Sequence, residues 1–271
     1  MRVLQYGSVF VILYCIEYGF TRYDRGIKMA WFFTDENIEG NSYVITGEDA
    51  RHIEKSLRMK KGEELTLVTP SVEQCLCEIS GFADGGVQVS VKEKKPCEQE
   101  ADVKVTLYQS LTKGDKMDMI IQKSTELGVS RIVPVITQRC VSRPDEKQLR
   151  KKTERWQKIA LMAAQQSCRG IVPEVCDTLS FDKALADGKE NDLCVLFYEG
   201  GGESLGTLLK DSVKSVGMFI GCEGGFDATE VELAKAAGVI PATLGRRILR
   251  AETAPLAALS AIMCLSGNFD L

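Results

Sequence analysis

The chain reads as an α/β protein in which a small β-barrel precedes a mostly parallel sheet flanked by helices, and three observations predict this. Residues from Trp31 to about Lys95 alternate short apolar runs with glycine and proline turns. From Val103 onward, strand-like and helix-like segments follow one another in turn. Between the two regions lies a charged stretch, Lys92 to Asp102 with Pro96, that reads as a linker. Short strands at turn-punctuated intervals favour a barrel, and alternating strands and helices favour a parallel sheet.

Composition supports a folded, water-facing chain. With 271 residues, 44% hydrophobic and 27% charged, it is long enough for one large domain or two modest ones. The net charge of −4 argues against a uniformly basic nucleic-acid coat. A basic face is nonetheless present locally: residues 139–158 hold eight basic side chains against three acidic ones, an excess of +5. From charge alone, that stretch is equally a solvated helix face and a phosphate-binding surface. Ten cysteines occur without any C-x-x-C pair, and His52 is the single histidine. Reduced thiols are expected, and neither a zinc site nor a His-rich metal site is.

The first 28 residues carry an apolar run, Val9 to Ile16, that is too short to span a bilayer and precedes no small-x-small cleavage site. Arg25-Gly26 can be encoded by a purine-rich AGG-GGA at the distance a ribosome-binding site keeps from a start codon. The expectation is therefore that 1–28 is an upstream extension foreign to the native protein and that Met29 is the first native residue.

Strands are expected at Tyr43–Ile45, Glu64–Val68, Cys75–Ile79 and Val87–Val91, with one helix from Asp49 to Met59. Beyond the linker, Val103–Leu107 reads as a strand and the following helix places Met117, Ile120, Ile121, Ser124 and Leu127 on one face before Gly128 stops it. Arg131–Ile136 is a strand, Glu146–Ser167 a helix, Leu193–Phe197 and Val216–Ile220 strands. Ala242–Leu244 is a short strand and Glu252–Cys264 a closing helix.

Two loops carry the chemistry. Val216–Ile220 runs into Gly221-Cys222-Glu223-Gly224-Gly225-Phe226, after which Asp227 and Glu230 are spaced as a capping box. Ala242–Leu244 likewise runs into Gly245-Arg246-Arg247-Ile248-Leu249-Arg250 and then a helix. Ligands of open α/β sheets sit at the carboxyl ends of strands, where glycines admit them to the backbone. One such loop is as consistent with a simple turn as with a ligand; two shift the balance to a ligand. No G-x-G-x-x-G follows a strand, and Gly200-Gly201-Gly202 lacks a P-loop ending.

Residues 221–226 and Leu244-Gly245-Arg246-Arg247-Ile248-Leu249-Arg250-Ala251-Glu252-Thr253-Ala254 resemble the C-terminal motifs of the RsmE family, SPOUT-superfamily enzymes that methylate N3 of a uridine in 16S rRNA. In the same order as in that family come Gln122–Val129, Gln138-Arg139-Cys140, Arg155–Ala160, Gln165-Gln166 and Arg169. His52 with Leu57–Gly62 resembles its N-terminal motif. The resemblance implies a PUA-like RNA-binding β-barrel over 29–98 and a SPOUT-type α/β methyltransferase domain over 101–271 whose C-terminal loops form a trefoil knot. It further implies S-adenosyl-L-methionine as cofactor, 16S rRNA of the small ribosomal subunit as partner, a cytoplasmic homodimer, and no membrane or metal. The family usually has proline where Cys222 stands; losing that stiff φ costs under ~1 kcal/mol if the backbone path is kept.

Cofactor contacts are then expected from Leu196, Tyr198 and Glu199, from Gly221, Glu223, Gly224 and Gly225, and from Leu244, Gly245, Ile248, Leu249 and Thr253. Deprotonating uracil N3 calls for a cation near a ring carbonyl and a proton acceptor. Arg250 and Glu252 are the first choices, Arg139 and Glu126 the reserves, and Arg250 with Glu252 is equally readable as a structural ion pair. Arg58, Lys147, Lys151, Arg155, Lys158 and Arg169 are the expected RNA-binding residues, with Phe32, Phe33 and His52 available to stack on bases. Two other readings stay open: another SPOUT enzyme acting on tRNA or a ribose 2′-hydroxyl, and a non-catalytic RNA-binding assembly factor.

Overall fold

A computed structural model describes residues 30–83 and 85–269, so the extension expected over 1–28, together with Met29, lies outside the described residues. The first sheet contains β1 (Trp31–Phe33), β2 (Ser42–Ile45), β3 (Glu64–Val68), β4 (Glu73–Ala83) and β5 (Gly86–Pro96) in the order β1-β3-β4-β5-β2. Alternation of side chains puts Leu65, Leu67, Cys75, Cys77, Ile79, Val87 and Val89 into one shared interior. Register shifts at Leu76/Cys77 and Ile79/Gly81 bend the long β4–β5 ribbon over that interior. No ladder joins β1 to β2 among the described residues, so the expected barrel is an open one.

The helix expected from Asp49 to Met59 is α1 (Gly47–Arg51) continued by a π-helical turn, His52–Leu57, which closes at Arg58 in the left-handed region with φ +53°. Phe32 is buried at 3% exposure with its ring edge-on to His52, 6.2 Å between centroids. It is a core residue, and the stacking role expected of it is corrected accordingly. The linker is also shorter than its charge suggests. β5 runs to Pro96, because its exposed outer residues Glu93, Lys94 and Lys95 pair in register with β4.

The second sheet is parallel throughout. Its elements are β6 (Lys104–Ser110), α2 (Lys116–Glu126), β7 (Arg131–Ile136), α3 (Glu146–Gln166), β8 (Glu174–Val175), β9 (Leu179–Ser180), α4 (Phe181–Gly188), β10 (Leu193–Phe197), β11 (Glu203–Ser204), α5 (Leu205–Leu208), β12 (Ser215–Ile220), α6 (Ala228–Ala236), β13 (Ile240–Thr243) and α7 (Ala254–Leu265). Strand order is β11-β13-β10-β12-β6-β7-β8, with β9 beside β7. Because both faces are covered, successive residues of one strand enter different cores. Val105, Leu107, Val195, Met218 and Ile220 pack against α2, α3 and α7 through Ile120, Trp156 and Leu259. Tyr108, Val133, Leu196 and Phe219 pack against α4 and α6 through Phe181 and Val231.

Asp145 and Gln148 cap α3, and the capping box expected of Asp227 and Glu230 is formed at the start of α6. The closing helix begins at Ala254, two residues later than expected, and the last strand ends at Thr243. A buried hydrogen bond ties the first sheet to the segment after α3: the Trp31 indole N–H donates to the Arg169 carbonyl oxygen at 2.9 Å.

Candidate active site

Strands β13, β10 and β12 lie side by side, and their carboxyl ends release three loops, 198–202, 221–226 and 244–253, around one cavity of about 430 Å3. Its apolar wall comes from Phe197, Ile220, Leu244 and Leu249, and its polar wall from Glu199, Glu223, Lys116 and Arg250. That size lies within the roughly 300–1,000 Å3 of small-molecule sites.

Glycine backbone forms the floor. The Gly225 N–H donates to the Cys222 carbonyl at 2.9 Å, closing a tight turn, and Gly225 sits at φ +66°. A Cβ on Gly221 would lie 2.9 Å from the Gly225 Cα, and one on Gly225 would lie 2.8 Å from Glu199 Oε1. The loop therefore folds tightly upon itself only as glycine. Cys222 is buried at 5% exposure in the core that also holds Cys140. The Cys140 sulfur beside it, together with burial, raises the pKa of the Cys222 thiol.

The loop after β7 braces this floor from outside. Arg139 donates to the Gly224 carbonyl at 2.9 Å and pairs with Asp227 at 3.2 Å, while buried Glu230 accepts the Gln138 amide at 2.8 Å. Arg139 thus supports the loop and is not among the residues that line the cavity. Glu126 is likewise outside the lining and pairs with Lys123 at 2.7 Å.

Of the expected cofactor contacts, Tyr198, Glu199, Gly221, Glu223, Gly224, Gly225, Leu244, Gly245, Ile248 and Leu249 line the cavity. Leu196 does not: it is fully buried in the opposite core, and its neighbour Phe197 faces the site. Thr253 is exposed at the N-cap of α7, off the lining. Arg250 borders the cavity with its side chain exposed. Glu252 is also off the lining, but it is held by Lys116, which borders the cavity, at 3.2 Å, and its own backbone amide together with that ammonium lowers its pKa, so it stands as a carboxylate.

Lys116 is a site residue that the sequence reading misses, since a lysine opening an amphipathic helix carries no motif of its own. Its ammonium also lies 3.1 Å from Glu223, whose carboxylate accepts the Lys113 amide at 3.0 Å. Burial by itself would raise the Glu223 pKa, but amide donors and Lys116 outweigh it and the net shift is downward.

On the basic face, Lys147, Lys151 and Lys158 are exposed along α3, and Arg58 is exposed on the first sheet's side. Arg155 is exposed but pairs with Asp118. Arg169 is buried at 4% exposure and bound to Glu100, so its expected role at RNA is corrected to a structural one.

Fold and cavity define a parallel α/β protein that takes a small ligand at its strand ends, behind a β-rich N-terminal unit. The RNA methyltransferase domain family matches residues 99–263, and the RNA methyltransferase PUA domain family matches 45–92. Ribosomal RNA small subunit methyltransferase E of Bacillus subtilis is 38% identical over 231 residues, which is 83% of this chain and 90% of that protein. Its counterpart from Synechocystis is 32% identical, over 85% of this chain and 75% of the relative. The crystal structure of the Neisseria gonorrhoeae enzyme of that name, bound to S-adenosyl methionine, superposes with a TM-score of 0.81 at 32% identity, covering 89% and 99% of the two chains. The chain belongs to this family of RNA methyltransferases.

Proposed function

We propose that the chain transfers a methyl group from S-adenosylmethionine to N3 of a uridine in 16S rRNA of the small ribosomal subunit, as a cytoplasmic homodimer that uses no metal. The observation that carries this reading is the cavity, built on the tight Gly221–Gly225 turn, whose lining joins apolar side chains to charged ones of both signs and suits a nucleoside joined to an amino acid. Phe197, Ile220, Leu244 and Leu249 would take the adenine, and the loop amides with Glu199 and Glu223 the polar groups. Bound there, the cofactor supplies a sulfonium-activated methyl.

Arg250, exposed at the rim, donates to a uracil carbonyl and stabilises charge as N3 loses its proton. Ionised Glu252 is the acceptor that takes that proton. The carboxylate is a weak base because of its lowered pKa, so positioning supplies most of the rate; well-oriented reactions gain up to ~7–11 kcal/mol this way.

Residues 29–98 form the RNA-binding unit and 101–271 the methyltransferase unit in this reading, with Arg58, Lys147, Lys151 and Lys158 contacting phosphates. The path of the C-terminus supports a knot: β13 lies beyond β10, yet α7 returns to pack on α2, β6 and β12.

Titration of purified protein with S-adenosylmethionine should give saturable binding; none would leave an RNA-binding assembly factor as the reading. Incubation with small subunits from a strain lacking the gene should produce 3-methyluridine on nucleoside mass analysis. A 2′-O-methylated nucleoside, or a product only on tRNA, would move the chain to another SPOUT activity.

A further inference from the structure

Lys116 is the first residue of α2, where a helix disfavours a cation because its unsatisfied N–H groups already carry partial positive charge. Two carboxylates meet the ammonium there: Glu223 of the loop after β12 at 3.1 Å and Glu252 of the segment before α7 at 3.2 Å. These belong to two separate chain segments that both border the cavity, and α2 belongs to neither. The ammonium is about one-third exposed and itself borders the cavity. Glu223 is fixed from a second side by the Lys113 amide, so the cluster is anchored to the loop that leads into α2.

We propose that Lys116 is a positioning residue for the methyl-transfer reaction: by bridging Glu223 and Glu252 it sets the spacing of the two loops that carry them. The inference rests on the reading of this cavity as the S-adenosylmethionine site. Its physical content is a charge balance. With the ammonium present, one cation faces two carboxylates. Without it, Glu252 keeps its own backbone amide and the nearby Arg250, and Glu223 keeps its own amide and that of Lys113, but the cation that joins the two loops is gone; their mutual repulsion grows and the pKa of both acids rises. The sign follows directly: the form active in proton acceptance is the ionised one, so a raised pKa loses activity from a higher pH as the solution is acidified.

The test compares the whole protein with Lys116→Met and Lys116→Arg, measuring S-adenosylmethionine affinity, kcat/KM against pH on small subunits, and the melting temperature. Lys116→Met should weaken cofactor binding by about tenfold, the order of one charge-assisted contact, and move the acidic limb of the pH profile upward. Its melting temperature should barely change, because partly exposed ion pairs add little to stability. Lys116→Arg, which keeps the charge and can span two carboxylates, should restore the limb and most of the affinity. The double variant Lys116→Met/Glu252→Gln should cost less than the sum of its singles, since the two groups act through one contact.

Affinity within twofold of wild type together with an unmoved acidic limb in Lys116→Met overturns the proposal. So does a melting temperature that falls in parallel with affinity and is not rescued by arginine, which would make Lys116 structural only. If wild-type protein itself binds no S-adenosylmethionine, it is the assignment of the cavity that fails.

Discussion

Arg169→Met is expected to destabilise the protein by about 3–5 kcal/mol, the usual cost of breaking a buried ion pair from one side. Arg169 is 4% exposed, and every nitrogen of its guanidinium is engaged. Nε and one terminal nitrogen bind the two oxygens of Glu100, and the other terminal nitrogen donates to the Thr125 carbonyl at 3.2 Å and the Val129 carbonyl at 2.6 Å. Glu100 also accepts the amides of Gly170 at 2.9 Å and Ile171 at 3.1 Å. Truncation leaves a largely buried carboxylate without its cation and takes a donor from each of two carbonyls, of which that of Thr125 keeps the Gly128 amide. Urea unfolding can follow this in both units by comparing Trp31→Phe and Trp156→Phe backgrounds, since Trp31 sits in the first sheet and Trp156 on α3. Both transitions should move to lower urea, since the Arg169 carbonyl is the acceptor for Trp31. A loss below about 1 kcal/mol would show that the guanidinium is replaceable by water.

Gly221→Ala should reduce S-adenosylmethionine affinity at least ~100-fold, about 2.7 kcal/mol, with a much smaller loss of stability. The added Cβ would sit 2.9 Å from the Cα and 3.0 Å from the carbonyl carbon of Gly225. Both are backbone atoms on the far arm of the turn, so relief requires the turn to open. Its amides then leave the cavity floor. Gly238→Ala is the matched control: φ is +90°, yet nothing lies within 4 Å of the new Cβ. It should cost about 1–2 kcal/mol of stability, as a side chain forced into the left-handed region does, and leave cofactor affinity unchanged. Should Gly221→Ala bind within threefold of wild type, the turn is not the cofactor floor.

What the sequence reveals and conceals divides along the range of the interactions involved. The α2 face of Met117, Ile120, Ile121 and Ser124 and the Asp227/Glu230 capping box are set by neighbours within a few residues, and local spacing exposes both. Leu196 and Phe197 cannot be told apart in this way. A parallel strand covered on both faces is apolar at every position, so alternation does not reveal which side meets the cavity. Arg169 follows a basic helix and reads as part of it, whereas its fate is decided by Glu100, across the linker, and by Trp31. Lys116 escapes a local reading for the same reason, as its two carboxylates come from loops that only the folded sheet brings together. Charge suggests a linker from Lys92, but pairing of β5 with β4 determines where the strand stops.

Arg58 carries a consequence of a different kind. It ends the π-helical turn with φ +53°, a conformation in which glycine or asparagine would be at ease and arginine is strained. Its side chain is exposed and buries nothing that would repay the strain. If Arg58 contacts phosphate as proposed, stability and RNA contact pull in opposite directions at this one position. Directed evolution for heat resistance alone should enrich Arg58→Gly or Arg58→Asn, and those winners should carry a weakened grip on RNA; selection that also demands modified ribosomes should retain the arginine.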